Sequence, residues 1–160
     1  VTTLELVTLT KQVAGAQGLD PVLLCAMAES ESSWNAYAVR CESESGFARR
    51  YGAAYAKLVH DSATKADDRW LGFEDLFYSS YGLLQTMYPC VIEAFPEAAD
   101  ALVYPTKLCD PQVGLLYGCK LFSLKLRQAR GRVPQALLYW NGGADPQYPA
   151  RVLSRQERYR

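Results

Sequence analysis

Asp20-Pro21-Val22-Leu23-Leu24-Cys25-Ala26-Met27-Ala28-Glu29-Ser30-Glu31-Ser32-Ser33-Trp34-Asn35 is the stretch from which the fold is read. Asp20 is a helix cap and Pro21 fits the first helical position, where its missing N–H costs nothing. Val22 to Ala28 follow without a polar residue. A helix apolar on all sides belongs in the middle of a domain. The run then ends in two carboxylates, hydroxyls, an indole and an amide, with Asn35 as the expected stop. Packing a Glu against such a wall disfavours its charged form and raises its pKa, which suits a proton donor near neutral pH. The competing reading is that Glu29 and Glu31 are solvated residues at a fraying helix end, since Glu is usually exposed.

Working outward, the rest of the chain reads as further helices. Leu4, Leu6, Val7, Leu9, Val13 and Ala14 recur at helical spacing, predicting a first helix that stops near Gly15 to Gly18. Residues 40–45 read as a polar loop, 47–59 as a surface helix with Tyr51 and Tyr55 four apart, and 61–69 as a polar connection. His60, the single histidine, lies at that junction and receives no role. The aromatic-rich segment 73–81 leads into Gly82-Leu83-Leu84-Gln85, after which Met87, Val91, Ile92, Ala94 and Phe95 resume helical spacing up to Pro96. Residues 98–103 suggest a short helical turn. Asp110-Pro111 repeats the cap-plus-proline start and opens a long helix through Leu126, ended by Gly131. Val133-Pro134 starts another that stops at Asn141-Gly142-Gly143, and a last short helix runs from about Tyr148. No stretch alternates as a strand and no segment repeats. The expected fold is mostly α, a single domain over 1–160 with a buried central helix.

At 160 residues with 49% hydrophobic residues, the chain is long enough to bury a core. Its formal net charge is zero, so no global field calls for nucleic acid as a partner. The sum hides a basic end. Lys120, Lys125, Arg127, Arg130, Arg132, Arg151, Arg155, Arg158 and Arg160 face only Asp145 and Glu157 over 120–160. Scattered as they are, they read as a solvated helix face, with attraction to an anionic polymer as the alternative. The five cysteines include no Cys-x-x-Cys spacing, and free thiols are expected, with Cys25 as a core residue. No stretch is long and apolar enough to span a bilayer, so no stable membrane insertion is expected. No secretory signal is read at the start, and the lack of an initiator Met fits processing or excision from a longer protein.

Familiar catalytic and metal motifs are missing. There is no phosphate-binding Gly loop, no His-Glu-x-x-His pair and no Gly-x-Ser-x-Gly turn. A serine hydrolase needs a histidine base, for which His60 has no plausible serine partner. Zinc lacks a ligand set, and no metal or cofactor is expected. Acid–base chemistry through carboxylates is what remains.

Glu31-Ser32-Ser33-Trp34-Asn35, Gly82-Leu83-Leu84-Gln85 and Trp140-Asn141-Gly142-Gly143 resemble, in order, the three signature blocks of the soluble lytic transglycosylases. These are lysozyme-like, mostly helical enzymes of the goose-type lysozyme kind that cleave the peptidoglycan glycan. The family writes its blocks roughly as Glu-Ser-x-(Phe/Trp)-Asn, Gly-Leu-Met-Gln and Tyr-Asn-x-Gly. Asp110-Pro111 through Gly118 is similar to the helix between the second and third blocks, and the likeness covers most of 19–153. It also separates two Glu-Ser pairs, because only Glu31 has an aromatic three residues on, followed by Asn. Glu29 and Glu31 point about 200° apart on a helix, so they cannot share one cleft. Glu29 is therefore read as structural or exposed.

The resemblance implies that Glu31 protonates the glycosidic oxygen between N-acetylmuramic acid and N-acetylglucosamine. The carboxylate then acts as base toward the C6 hydroxyl of the muramoyl sugar, giving a 1,6-anhydro product without water. One carboxylate suffices if the substrate's acetamido group stabilises the cationic centre; a hydrolase ordinarily wants a second one, about 5–9.5 Å away. Glu42, Glu44, Glu74 and Asp75 are available for that. By the same resemblance, Ser32 steadies the anomeric region, or is simply a helix-end serine. Gly82 lets the backbone approach the sugar, and Gln85 supplies an amide to the site or to its loop. Trp140 and Asn141 form the third block. Trp140 stands where the family has Tyr, keeping a flat face and an N–H but no hydroxyl. Tyr148 is the expected replacement for that hydroxyl, with Tyr139 as the alternative.

The longer, polar segment 39–81, the Trp-Asn-Gly-Gly block and Tyr148-Pro149-Ala150-Arg151-Val152 look more like the phage-encoded branch. A virion component, or a lysis enzyme released to the cell wall in the periplasm, needs no export signal of its own. The implied partner is the peptidoglycan glycan strand. Two rivals are a muramidase of the same fold and, from another class, a non-catalytic glycan-binding or structural virion module.

Overall fold

Local signals in the chain set most of the helix boundaries. The computed structural model describes residues 1–42 and 74–160. Helix α1 spans Thr3–Ala16 and begins with a reciprocal capping box between Thr2 and Glu5. Helix α2 spans Pro21–Ser32, with the Asp20 carboxylate accepting from the Val22 N–H. The next helix, α3, spans Tyr88–Ala94 and is stopped by Pro96. The longest, α4, spans Pro111–Gln128, with Asp110 accepting from the N–H groups of Gln112 and Val113. Helices α5 and α6 span Val133–Trp140 and Tyr148–Arg155. Short 3-10 turns cover Pro96–Ala99, Pro105–Cys109 and Gln156–Tyr159. Among the described residues, no helix is long and apolar enough to cross a membrane.

The absence of strands expected from the sequence is corrected by a small antiparallel sheet. Strands β1 (Val39–Cys41), β2 (Ser79–Tyr81) and β3 (Thr86–Met87) lie in that order, with Ser80 opposite both Arg40 and Met87. Part of the expected loop at 40–45 is thus a strand. These strands are too short for a period of two to emerge. Moreover, β1 is exposed throughout while β2 is buried throughout, so neither alternates. The helix expected over 47–59, His60 and the connection over 61–69 lie outside the described residues.

Two hydrophobic clusters flank α4. One joins α1, α2, α5 and α6 through Leu6, Leu24, Met27, Leu115, Phe122, Leu137 and Val152. The other gathers Phe77, Tyr81, Tyr88, Val91, Leu102 and Leu108 against Tyr117 and Leu121. Leu24 and Met27 are fully buried, as an all-apolar central helix requires, and each contributes about 1.5–3 kcal/mol. Trp140 packs against both clusters, at the seam where the cleft opens. The expectation of a mostly helical, lysozyme-like fold around α2 holds.

All five cysteines lack disulfides. Burial pushes the Cys25 thiol up to about 11 and that of Cys119 to about 12, so both behave as apolar core groups. In the basic end, several arginines meet carboxylates of the same chain. Arg151 pairs with Asp145 at 2.5 Å, Arg160 with Glu157 at 2.6 Å, and Arg158 with Glu29.

Candidate active site

Helix α2 delivers Glu31 in its last turn and then stops abruptly. Ser33 and Trp34 both take left-handed conformations, with φ of 50° and 65°. Two consecutive non-glycine residues in that region reverse the chain at once, a strained geometry that fixes where the carboxylate ends up. Asn35 braces the reversal by accepting from the Tyr37 N–H at 3.0 Å.

Glu31 is half-buried on the wall of a cleft of about 460 Å³. The opposite walls come from the sheet (Arg40, Glu42, Ser80, Gln85) and from α4 (Leu121, Leu124). Two donors converge on one oxygen of Glu31. The Trp140 indole N–H reaches Oε1 at 3.1 Å, and the Tyr148 hydroxyl reaches the same atom at 2.5 Å. Burial raises the Glu31 pKa above the ordinary carboxylate value. The Tyr148 bond, the charge of Arg40 and the Trp140 bond offset only part of this, while the negative charge of Glu42 adds to it. Tyr148 is 3% exposed, and both its burial and the neighbouring carboxylate push its own pKa up, so it remains a donor.

Two donors of different chemistry thus serve Glu31. Tyr148 supplies a hydroxyl from α6, and Trp140 supplies an N–H from the end of α5. Tyr139 lines the cleft beside them. Trp140 is itself held edge-on by Phe122, with ring centroids 5.9 Å apart. Asn141 lines the cleft, and its side-chain oxygen accepts from the Asp145 N–H at 2.7 Å, shaping the glycine turn that leads to Tyr148.

Gln85 reaches into both the cleft and its supporting loop. Its amide nitrogen donates to the carbonyls of Gly82 at 2.9 Å and Ala38 at 3.2 Å, while its oxygen lies 2.9 Å from the Ser80 hydroxyl, whose one proton it shares with Glu42 at the same distance. Gln85 adopts φ of 48°, a left-handed turn that these bonds hold in place. Gly82 has φ of 72°, and a Cβ there would collide with the Leu108 carbonyl. The close approach that its missing side chain permits is to Leu108. Ser32 is buried and donates to the Ala28 carbonyl at 3.0 Å, the behaviour of a helix-end serine.

Sequence reading left Glu42 as one of four unplaced carboxylates. It lies in the same cleft as Glu31, paired with Arg40 at 2.6 Å and accepting from Ser80 at 2.9 Å. Nothing local in the sequence singles it out, since the strands that present it are too short to announce themselves. Glu29 faces away from the cleft and is bound by Arg158 and by the Tyr159 hydroxyl at 2.9 Å. The separation of the two acids by helix geometry is thereby realised.

The family model for the transglycosylase SLT domain matches residues 8–151. No curated protein and no solved structure matches the chain. With nine-tenths of the chain under one family model, and with a half-buried acid in a cleft between a helical core and a small sheet, the chain belongs to the transglycosylase SLT domain family, the lytic transglycosylases of peptidoglycan.

Proposed function

We propose that Glu31 is the single acid and base of a lytic cleavage between N-acetylmuramic acid and N-acetylglucosamine. The observation that carries this reading is the convergence of Trp140 and Tyr148 on Oε1 of a carboxyl whose pKa is raised by burial. With Oε1 committed to two donors, the proton of the neutral acid belongs on Oε2, the oxygen left to meet substrate. Glu31 gives that proton to the glycosidic oxygen as the bond from C1 breaks. The carboxylate so formed accepts the proton of the muramoyl C6 hydroxyl as O6 bonds to C1. Tyr148 and Trp140 stabilise the ionised intermediate state, and Glu31 ends the cycle protonated again. Matching a pKa to both steps is the usual requirement of such a group.

Glu42 and Glu93 are the other described carboxylates lining this cleft, and Glu42, whose charge acts on Glu31, is the one a muramidase reading would use. Its engagement by Arg40 and Ser80 favours a role in shaping the cleft wall over activating water. Gln85, Trp140, Asn141 and Tyr148 are the proposed binding residues. Ser32 and Gly82 contribute through the backbone they support. A second cavity of about 430 Å³ shares Lys125, Gln128 and Tyr139 with the first, which supports a groove extended on that side for a polymeric substrate.

Mass analysis of the products from purified peptidoglycan tests the mechanism. Anhydromuramoyl ends are expected, and reducing ends throughout would overturn it in favour of hydrolysis. Glu31→Gln is expected to lose nearly all turnover while retaining the fold and glycan binding. Clearing of a cell-wall suspension by that variant at the parental rate would remove Glu31 from the mechanism, and binding without turnover by the parent would favour the non-catalytic module.

We also assign the chain to the phage-encoded branch, acting on the bacterial wall from the periplasm or as part of a virion. The Trp140-Asn141-Gly142-Gly143 block and the segment from Tyr148 to Val152 support this. Finding the chain in purified virions, or in the lysate of an infected host, tests it.

A further inference from the structure

Helix α2 is gripped at two points by one continuous segment of chain. At the first, Tyr148 opens α6 and donates to Glu31. At the second, the turn Gln156–Tyr159 closes over Glu29, two residues earlier on α2. There the Tyr159 hydroxyl donates to Glu29 at 2.9 Å and accepts from the Trp34 indole N–H at 2.9 Å. Arg158 pairs with Glu29, Arg155 lies 3.8 Å from it, and the Tyr159 carbonyl accepts from Lys11 of α1 at 2.8 Å. The Trp34 and Tyr159 rings meet edge to face with centroids 5.7 Å apart. Glu29 is only 19% exposed, so its carboxylate is shielded even though Arg158 reaches it from a largely exposed position.

We propose that Tyr159 and Glu29 are positioning residues for the lytic reaction, latching α6 onto α2 so that Tyr148 and Trp34 hold Glu31 and its helix end in register. The inference rests on Glu31 being the catalytic acid. Its physical basis is that a 2.5 Å bond from Tyr148 tolerates little displacement, while α6 is only Tyr148–Arg155 long. Helix α6 buries Tyr148 and Pro149 in its first turn and Val152 beyond its middle, and the following turn has no buried residue to hold it. Without the polar cluster, the far end of that short helix has only Leu153 and Tyr159, both partly buried, against the core.

The test compares Tyr159→Phe and Glu29→Gln with the parent enzyme over a pH series, alone and combined with Tyr148→Phe. Tyr159→Phe keeps the ring edge-on to Trp34 but loses both the bond to Glu29 and the one from the Trp34 indole N–H. Each single variant is expected to lower kcat by about tenfold, with KM little changed, short of the hundredfold that a full ångström of misplacement costs. The alkaline limb of the rate profile should move upward, because a weakened Tyr148 bond stabilises ionised Glu31 less; Arg40 and Glu42, the charges on the sheet facing Glu31, are untouched. In the Tyr148→Phe background, neither change should move kcat or the limb further. A lower melting temperature with kcat and pH profile unchanged, or full additivity with Tyr148→Phe, would overturn the proposal. Parental activity in the same assay separates its failure from that of the Glu31 assignment.

Discussion

Trp140 and Tyr148, from different helices, place their donors on the same oxygen of Glu31, at 3.1 Å and 2.5 Å. Sharing one acceptor leaves the other oxygen of the carboxyl for chemistry. It also makes the pair a tuning device, since each bond favours the ionised form while burial favours the neutral one.

The shorter bond should matter more. A hydrogen bond to a charged group is worth about 1.5–3 kcal/mol, so Tyr148→Phe is expected to lower kcat by about tenfold to a hundredfold. Trp140→Phe keeps an aromatic ring against Phe122 and should cost less, about threefold to tenfold. Both variants remove a bond that lowers the Glu31 pKa, so the acid stays protonated to higher pH. The alkaline limb of kcat/KM should move upward, further for Tyr148→Phe than for Trp140→Phe. A limb that stays fixed or moves down in both variants would contradict this account of the site.

Glu31 also marks the stability of the fold. Its folded-state pKa lies above the unfolded value, chiefly through burial. Its contribution to stability is therefore complete below the unfolded pKa and declines as pH rises through the folded one. Glu31→Gln removes that titration. The variant should melt above the parent at neutral pH, with the gap narrowing as pH falls through the folded pKa and closed below the unfolded value of about 4.5; each kcal/mol corresponds to about 2–4 °C for a chain of this size. Melting curves at pH 4 and pH 7.5 check it, and an unchanged gap would show that Glu31 carries no burial penalty.

Gly82 and Gly114 enclose the Leu108 carbonyl between the signature loop and α4, and a Cβ at either would collide with that oxygen. At Gly82 the left-handed backbone adds a second penalty, since an L side chain costs roughly 1–2 kcal/mol there. Gly82→Ala is expected to destabilise by roughly 2–4 kcal/mol. Gly114→Ala should cost less, because helix propensity returns about 1 kcal/mol. Denaturant midpoints measure both, and a Gly82→Ala midpoint equal to the parent's would mean that Leu108 yields freely.

The sequence by itself determined the helical order and which of the two acids is proposed for catalysis. The Asp20-Pro21 and Asp110-Pro111 starts, the apolar run 22–28 and the breaks at Pro96 and Gly131 act within a turn or two of chain, so they are legible locally. Helix geometry likewise set Glu29 and Glu31 on different faces, and the residues following Glu31 singled it out. Only the tertiary structure decided what those faces meet. The partners of Glu31 lie 109 and 117 residues along the chain, and Glu29 takes Tyr159 from 130 residues away. Such pairings depend on how α5 and α6 pack on α2, not on any local pattern. The sheet stayed hidden because strands of two or three residues carry no periodicity, and with it the place of Glu42 and the internal bonds of Gln85. Gly82 was read for its freedom, but the atom that demands it, the Leu108 carbonyl, comes into contact only when the loop is packed against α4.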